Sequence, residues 1–278
     1  MGCADSRELD EPKKPEVSGK PHRPGRKERS YSAEISLSQS PDIPCEMLYK
    51  DVENSLGLNC FSAENIVKLI NSHSSSNIIT EENLINVLSL LKINRSEIMN
   101  FYANFKIQRD KKSSTYNTQA LKTLIIIMAR GNLSTKAQLL FANYNSSSEQ
   151  VLDISSVMLM IEDIIFIALE VIPKHALFNS PDNSKIMSEI IDFQGFKSVM
   201  SNHFLILLLE NRKFITKEHF FAKFNNHEAK KLASPHGMRK CCLAFKGKTH
   251  MKSLTSPERK SSNKIPKAPN GNWGKLFK

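Results

Sequence analysis

The sequence predicts an all-α fold, and three observations support this prediction. Apolar residues recur every three or four positions, as on one face of a helix, for example at Ile66, Val67 and Ile70. Residues that favour helix N-caps precede such stripes, as Ser62 and Thr80 do. The connecting segments are rich in serine and asparagine, which favour turns over regular structure.

Composition divides the chain into three parts. Residues 1–50 are polar and proline-rich, and they predict a disordered segment because they bury too little apolar surface to offset the entropy of ordering. Residues 51–228 hold nearly every apolar cluster and predict the helical domain. Residues 229–278 return to lysine, serine, proline and glycine and predict a basic disordered tail.

The helical elements follow one another along the middle part. A stripe beginning at Leu84 follows Thr80, with Glu81 and Glu82 in the first turn, where the helix dipole favours acids. Residues 119–129 are rich in β-branched side chains, but the length and flanks of this run favour a buried helix over a strand. The other predicted helices cover 98–105, 134–144, 154–171, 193–209 and 216–226.

Charge and composition exclude several classes of protein. The net charge is +11, but it comes almost entirely from residues 229–278, which argues against a uniformly basic nucleic-acid-binding surface. No apolar run is long enough for a membrane span, and the N-terminus lacks the apolar core of a secretory signal. Five cysteines are too few for a disulfide framework, so a reduced, cytoplasmic protein is predicted.

A lone hydrophobic residue precedes the cap of each helix that follows a polar loop. These residues are Ile79, Tyr116, Leu152 and Ile191. This rhythm is typical of EF-hand units, in which the residue at loop position 8 pairs with its counterpart in the neighbouring loop. The best unit covers 141–157, where Leu152 falls at position 8.

At residues 60–210 the chain resembles four-EF-hand proteins. An arginine-glycine link at Arg130 and Gly131 follows an apolar helix and precedes the next one, as it does between the second and third hands of neuronal calcium sensors, calcineurin B-like proteins and calaxins. The spacing is most similar to that of calaxins. The resemblance implies paired helix–loop–helix units and an apolar cleft for a target helix.

The loops depart from the calcium-binding pattern, which needs acidic residues at positions 1, 3 and 5, glycine at 6 and glutamate at 12. The first loop has Asn83 at position 12, and the fourth has Gly195 there. The second loop surrounds Asp110 with cationic side chains. Only the third loop offers a candidate metal site, formed by Asn145, Ser147, Glu149, Val151, Asp153 and Ser156.

Only two of those six candidate ligands, Glu149 and Asp153, are charged. We therefore predict no cofactor, or weakly bound calcium, at this loop. We favour the interpretation that the loops no longer bind calcium. Weak calcium binding at the third loop comes second, and a tight calcium-sensor site comes last.

The N-terminus matches the N-myristoylation pattern, with Gly2 as the acceptor and Ser6 at the preferred position. Cys3 beside it is a candidate for palmitoylation. Because one myristoyl chain anchors a protein only marginally, a second acyl chain or the basic residues between Lys13 and Arg29 would complete a membrane tether. The alternative is an ordinary unmodified terminus.

The basic C-terminal segment leaves three alternatives open. It is a solvated tail, a membrane-surface segment with Cys241 and Cys242 as further acylation sites, or a contact for nucleic acid or an acidic partner. Ser256, which precedes a proline, is a candidate phosphorylation site, and phosphate there would reduce the positive charge of the tail.

These observations together predict an adaptor or calcium-sensor-like regulator rather than an enzyme, because nucleotide-binding, zinc-protease and thiol-redox motifs are all missing from the sequence. Its partner would be an amphipathic helix, and its location a peripheral membrane site in the cytoplasm. The alternative is a structural component of a ciliary or cytoskeletal assembly. The predicted target groove, whose residues would otherwise be plain core, consists of Phe101, Phe105, Leu124, Ile127, Phe141 and Leu159.

Overall fold

The computed structural model describes residues 44–93, 95–107, 114–145 and 149–255, and they are mostly helical, as predicted. The helices are α1 (Cys45–Ser55), α2 (Ala63–His73), α3 (Glu81–Leu90), α4 (Arg95–Tyr102), α5 (Thr118–Met128), α6 (Leu133–Tyr144), α7 (Ile154–Phe166), α8 (Ile172–Asn179), α9 (Ser184–Leu209), α10 (Lys217–Phe224) and α11 (Pro235–Thr255). The strands are β1 (Ile78–Thr80), β2 (Lys106–Ile107), β3 (Thr115–Asn117), β4 (Val151–Asp153) and β5 (Phe214–Thr216).

Side-chain caps start the helices where the sequence predicts them. The side chains of Ser62, Thr80 and Asn117 accept hydrogen bonds from backbone amides in the first turns of α2, α3 and α5. Asp153 does the same for α7. Each bond satisfies an amide that has no partner inside the helix, and a cap of this kind contributes about 1 kcal/mol.

Short antiparallel strands join the helices in two groups. Strand β1 pairs with β3, so that Ile79 lies opposite Tyr116, and β2 pairs with the other edge of β3. Strand β4 pairs with β5, so that Leu152 lies opposite Ile215. All four of these apolar side chains are buried, and each strand pair therefore fixes the loop ends of two helical units against the core.

The last unit differs from the sequence-based prediction. Ile191 was expected to precede a cap, but it lies in the middle of α9, which runs without interruption for 26 residues, and its side chain is 65% exposed. Pro181 precedes this helix, and Asn183 caps it. The residue that faces Leu152 is Ile215, because the strand follows the end of α9 rather than interrupting it.

A π-helical segment connects α7 to α8. Over Ile167–Val171 the amide of Ile172 donates to the carbonyl of Ile167, five residues back. Pro173 follows directly, and proline has no amide with which to continue the α-helical pattern. The wider turn therefore keeps the chain helical up to the proline, and α8 then packs against α1.

The centre of the domain is apolar. Eight side chains of α5 are buried, which confirms that residues 119–129 form a buried helix rather than a strand. Helix α5 packs against α2, α6 and α7. Its β-branched residues suit this position because packing on several sides, and not local propensity, determines the conformation here.

Helical structure extends beyond both boundaries drawn from composition. Helix α1 begins at Cys45, before residue 51, and α11 continues the domain past residue 229. Met238, Cys241 and Cys242 on α11 are buried. Composition did not predict this helix because few of its residues are apolar, but they are spaced to face the core, while Lys240 is exposed.

A buried arginine connects these two end helices. The guanidinium of Arg239 on α11 donates to both carboxylate oxygens of Glu46, at 3.0 and 2.7 Å, and to Glu53 at 2.7 Å. It also lies 4.9 Å from the ring centroid of Tyr49. Burial opposes ionisation of Glu46, but the hydrogen bonds and charge of Arg239 hold the pKa of that carboxyl below its ordinary value.

Replacing Arg239 by methionine should destabilise the domain by about 3 kcal/mol, because two partly buried glutamates would lose their counter-charge. Urea unfolding of the purified chain measures this change. Lys240→Met is the matched control, since that neighbouring side chain is exposed and should matter little. Equal stability of the two variants would contradict the structural role of the arginine.

Candidate functional site

The third predicted loop uses its polar groups within the chain. Asn145 donates through Nδ2 to the carbonyl of Glu149 at 2.9 Å. Asp153 accepts the amide of Ser156 at 2.7 Å, and this bond lowers the pKa of the Asp153 carboxyl. Val151 lies in β4 and pairs with β5. The loop is thus held by a cap and a strand pair.

The predicted metal ligands are brought together only in part. Within the described ranges, no three histidine, cysteine, aspartate or glutamate side chains form a group that could hold a metal ion. Ser147 lies outside the described residues. The expectation of no cofactor, or of weakly bound calcium, therefore stays a prediction.

The predicted target groove is occupied by the protein's own side chains. Phe101 and Phe105 are buried, with their rings against His175 of α8 and Phe166 of α7 at centroid distances of 5.4 and 6.1 Å. The other predicted groove residues on α5 and α6 are also buried: Leu124, Ile127 and Phe141. Only Leu159 is exposed, at 42%. As an open groove the prediction was wrong, because periodicity identifies apolar faces but not what covers them.

Two surface cavities flank α6 and share Leu139 and Ala142, and together we call them the α6 cleft. Their volumes are about 370 Å³ and about 600 Å³. The first cavity is also lined by Glu64, Val67, Lys68, Asn71, Lys122 and Asn143. The second is also lined by Gln138, Phe141, Asn145, Gln150, Lys217 and Phe221.

The charge around the α6 cleft is mostly positive. Lys68, Lys122 and Lys217 line it, with Glu64 as the one acidic lining residue. Burial lowers the pKa of Lys122 below its ordinary value. Lys217 lies over the ring of Phe221, 6.0 Å from its centroid. The cleft therefore combines an apolar floor with a cationic rim.

A polar network beneath the cleft fixes α6 to its neighbours. Asn143 donates to the carbonyl of Gln119 at 2.9 Å and to Thr123 Oγ1 at 3.0 Å. Thr123 and Tyr144 share a hydrogen bond of 2.6 Å, and the Tyr144 hydroxyl donates to Asp163 on α7. These contacts give the floor of the cleft a defined position relative to α5 and α7.

Sequence analysis missed the α6 cleft. The buried stripe of α6 is formed by Ala137, Leu140, Phe141 and Tyr144, and Leu139 lies beside this stripe. An apolar residue off the buried stripe of an amphipathic helix was the available signal. The lysines were not recognisable from sequence because they come from α2, α5 and α10, which are distant along the chain.

The candidate modification sites on the two tails either lie outside the described residues or are buried. Gly2, Cys3 and Ser256 lie outside the described residues. Cys241 and Cys242 are buried, and burial raises the pKa of the Cys242 thiol to about 12. Their burial argues against the alternative in which both are acylation sites, since a buried, protonated thiol is a poor nucleophile.

None of the helices within the described residues combines the length and the apolar character that crossing a membrane requires. No known protein family matches this chain, and no curated protein matches it significantly.

The Asp163→Asn variant should be more stable than the natural chain at neutral pH, by up to about 3 kcal/mol. Burial raises the pKa of Asp163 to about 6, so the unfolded chain releases this proton before the folded chain does, and stability falls as pH rises from about 4 to 6. An asparagine at this position does not ionise, and its carbonyl can still accept from Tyr144.

Urea unfolding at a series of pH values measures the difference between the two chains, which should shrink as pH falls below 6. Asp182→Asn, the same substitution at an exposed position, is the control. If Asp163→Asn instead lost the same amount of stability at every pH, ionisation of this carboxyl would not be what destabilises the folded chain.

Proposed function

We propose that this chain is a non-catalytic adaptor built from EF-hand-like units, which binds an amphipathic helix of a protein partner in the α6 cleft. The observation that carries the proposal is the pair of cavities that share Leu139 and Ala142. Both cavities are partly apolar, and both border Leu139 and Ala142 on α6. An amphipathic helix that lies across α6 can place side chains from one of its faces into both cavities.

The two strand pairs support the EF-hand-like part of the proposal. Ile79 lies opposite Tyr116 and Leu152 opposite Ile215, each between a polar loop and a capped helix. The resemblance of residues 60–210 to four-EF-hand proteins predicts the first of these pairs. In the second pair, Ile215 takes the place expected for Ile191 and lies outside that range. The non-catalytic part rests on the lack of enzyme motifs in the sequence.

The cationic rim determines the kind of helix that would bind. Lys68, Lys122 and Lys217 surround the apolar floor, so a helix with an apolar stripe flanked by acidic residues is complementary to the cleft. A helix flanked by basic residues would meet like charges. We therefore assign an acidic amphipathic helix as the partner segment.

Binding in the cleft should not require calcium. The cleft is lined by α2, α5, α6 and α10, and the loops that join the units are held by caps and strand pairs. Asp153, the charged candidate ligand nearest to α7, is engaged as its cap. The adaptor would then be constitutive rather than switched by the ion.

The test is binding of a synthetic helical peptide with a leucine stripe flanked by glutamates, followed by fluorescence anisotropy. We expect saturable binding, equal in calcium and in chelator, and at least about tenfold weaker binding by the Leu139→Glu variant. The same peptide with lysines in place of glutamates is the control for charge. Leu90→Glu, at an exposed apolar residue of α3, is the control for the variant.

Binding that is insensitive to Leu139→Glu would remove the cleft from the proposal. Binding that appears only with calcium would replace the constitutive adaptor by a calcium sensor. Equal binding of the two peptides would contradict the role assigned to the lysine rim.

A lipid tether at Gly2, with Cys3 as the second acylation site, forms the other part of the proposal. The expected result is that the Gly2→Ala variant moves from the membrane to the soluble fraction of cells, because a myristoyl chain cannot be attached to alanine. A control variant at Ala4, outside the acceptor position, should stay with the membrane. A Gly2→Ala chain that remains in the pellet with the cytoskeleton would favour the alternative, a structural component of a ciliary or cytoskeletal assembly.

A further inference from the structure

Helix α9 has an exposed face without any charged side chain. Four large apolar residues on it are exposed by 49–65%: Met187, Ile191, Val199 and Ile206. The exposed positions between them are serine, glutamine, glycine and asparagine. This neutral face extends over 20 residues, or about 30 Å of helix, which is unusual for the surface of a chain with a net charge of +11.

The charged and titratable residues of the same span are turned to the sides of the helix, where each has a partner. Glu189 accepts from the Tyr49 hydroxyl at 2.8 Å, and His203 lies 3.9 Å from a carboxylate oxygen of Glu228. The two remaining ion pairs are Asp192 with Lys246 and Lys197 with Glu170. This span of α9 does contain charged residues. Its exposed face is neutral because those residues lie on the other sides of the helix.

The residues along this face are arranged symmetrically about Gly195. Proceeding outward, Ile191 and Val199 are each four residues away, and Ser188 and Asn202 are each seven away. All five positions lie within one arc of the helix, since they follow one another at spacings of three and four. A β-carbon added at Gly195 would meet no atom within 4 Å, so another backbone can approach closely at the midpoint.

A groove next to one end of the face completes the arrangement. It lies between α7 and α9 and has a volume of about 380 Å³. Apolar and polar residues line it together with one acidic and one basic residue, and they include Ile165, Phe166, Ser198, Asn202, Glu162 and Lys197. If a second α9 crosses antiparallel at Gly195, its Ile191 falls opposite Val199, beside this groove. Its Ser188 falls opposite Asn202, where two polar side chains can share a hydrogen bond.

We propose that α9 is the interface of a two-fold symmetric homodimer in which the two helices cross antiparallel at Gly195. A two-fold axis makes every contact occur twice, so that the same apolar residue and the same groove are used by both copies. The occupant is a second copy because this face offers no charge to an acidic or basic partner. It also lacks the lysines and arginines with which interfacial helices bind a lipid surface.

The distribution of charge is compatible with the same choice. The positive net charge comes almost entirely from residues 229–278 and not from α9, so the neutral faces of two copies bring no like charges together at the point of contact. One helix face and its adjoining groove form a small interface, so we expect a weak, reversible dimer in the micromolar range. This interface is separate from the α6 cleft and does not depend on the proposed adaptor function.

Sedimentation equilibrium of the full chain in reducing buffer, from low to several hundred micromolar, tests the association. We expect a monomer–dimer equilibrium, and at least about a tenfold higher dissociation constant for Ile191→Lys. Leu90→Lys, at a similarly exposed residue on α3, should associate like the natural chain. A chain that stays monomeric over this range, or an Ile191→Lys variant that associates normally, would overturn the proposal.

Disulfide trapping tests the geometry in a background in which Cys3 and Cys60 are replaced by serine. Gly195→Cys should form a dimer rapidly on mild oxidation, because this position lies on the proposed axis and its β-carbon is unobstructed. Ser188→Cys should crosslink to Asn202→Cys in a mixture of the two chains, but not to itself. Trapping of Ser188→Cys with itself, or trapping of Gly195→Cys no faster than Leu90→Cys, would overturn the antiparallel arrangement.

Discussion

The cluster of ion pairs around Arg239 is the interaction on which the packing of the first and last described helices depends. Its guanidinium is fully buried and binds two carboxylates of α1 while it lies over the ring of Tyr49. The Tyr49 hydroxyl in turn donates to Glu189 on α9. One side chain near the C-terminus thus holds the first described helix against the last one. Because a buried ion pair is costly to desolvate, it contributes mainly by specifying this one arrangement of the helices, in which no single partner can be removed without cost.

Hydrogen bonds and buried apolar contacts from the chain itself hold the ends of the loops. The caps at Thr80 and Asp153 and the strand pairs at Ile79 and Leu152 provide hydrogen bonds and buried apolar contacts at the places where a calcium-binding loop would rely on the metal. Serine and asparagine can replace acidic residues in such loops, since they satisfy backbone groups without repelling one another. The π-helical turn before Pro173 has a similar effect, because it keeps the chain helical where an amide is missing.

Because the interior is filled, both proposed contacts use the outer surface, and the two surfaces differ in charge. The α6 cleft has an apolar floor with a rim of lysines, which suits a charged partner of opposite sign. The exposed face of α9 has no charge, and its residues are symmetric about Gly195, which suits an identical partner. Both surfaces are built from residues whose neighbours in the sequence belong to the core.

The sequence by itself determined the helical class, the caps at Ser62, Thr80, Asn117 and Asp153, and the burial of α5, because these features follow from local hydrogen bonding and from periodicity within a single segment. Only the tertiary structure decided that Phe101 belongs to the core, that Ile191 faces solvent and that Arg239 is buried. The reason is the same in each case. A side chain's exposure depends on which distant element covers it, and neither composition nor spacing along one segment carries that information.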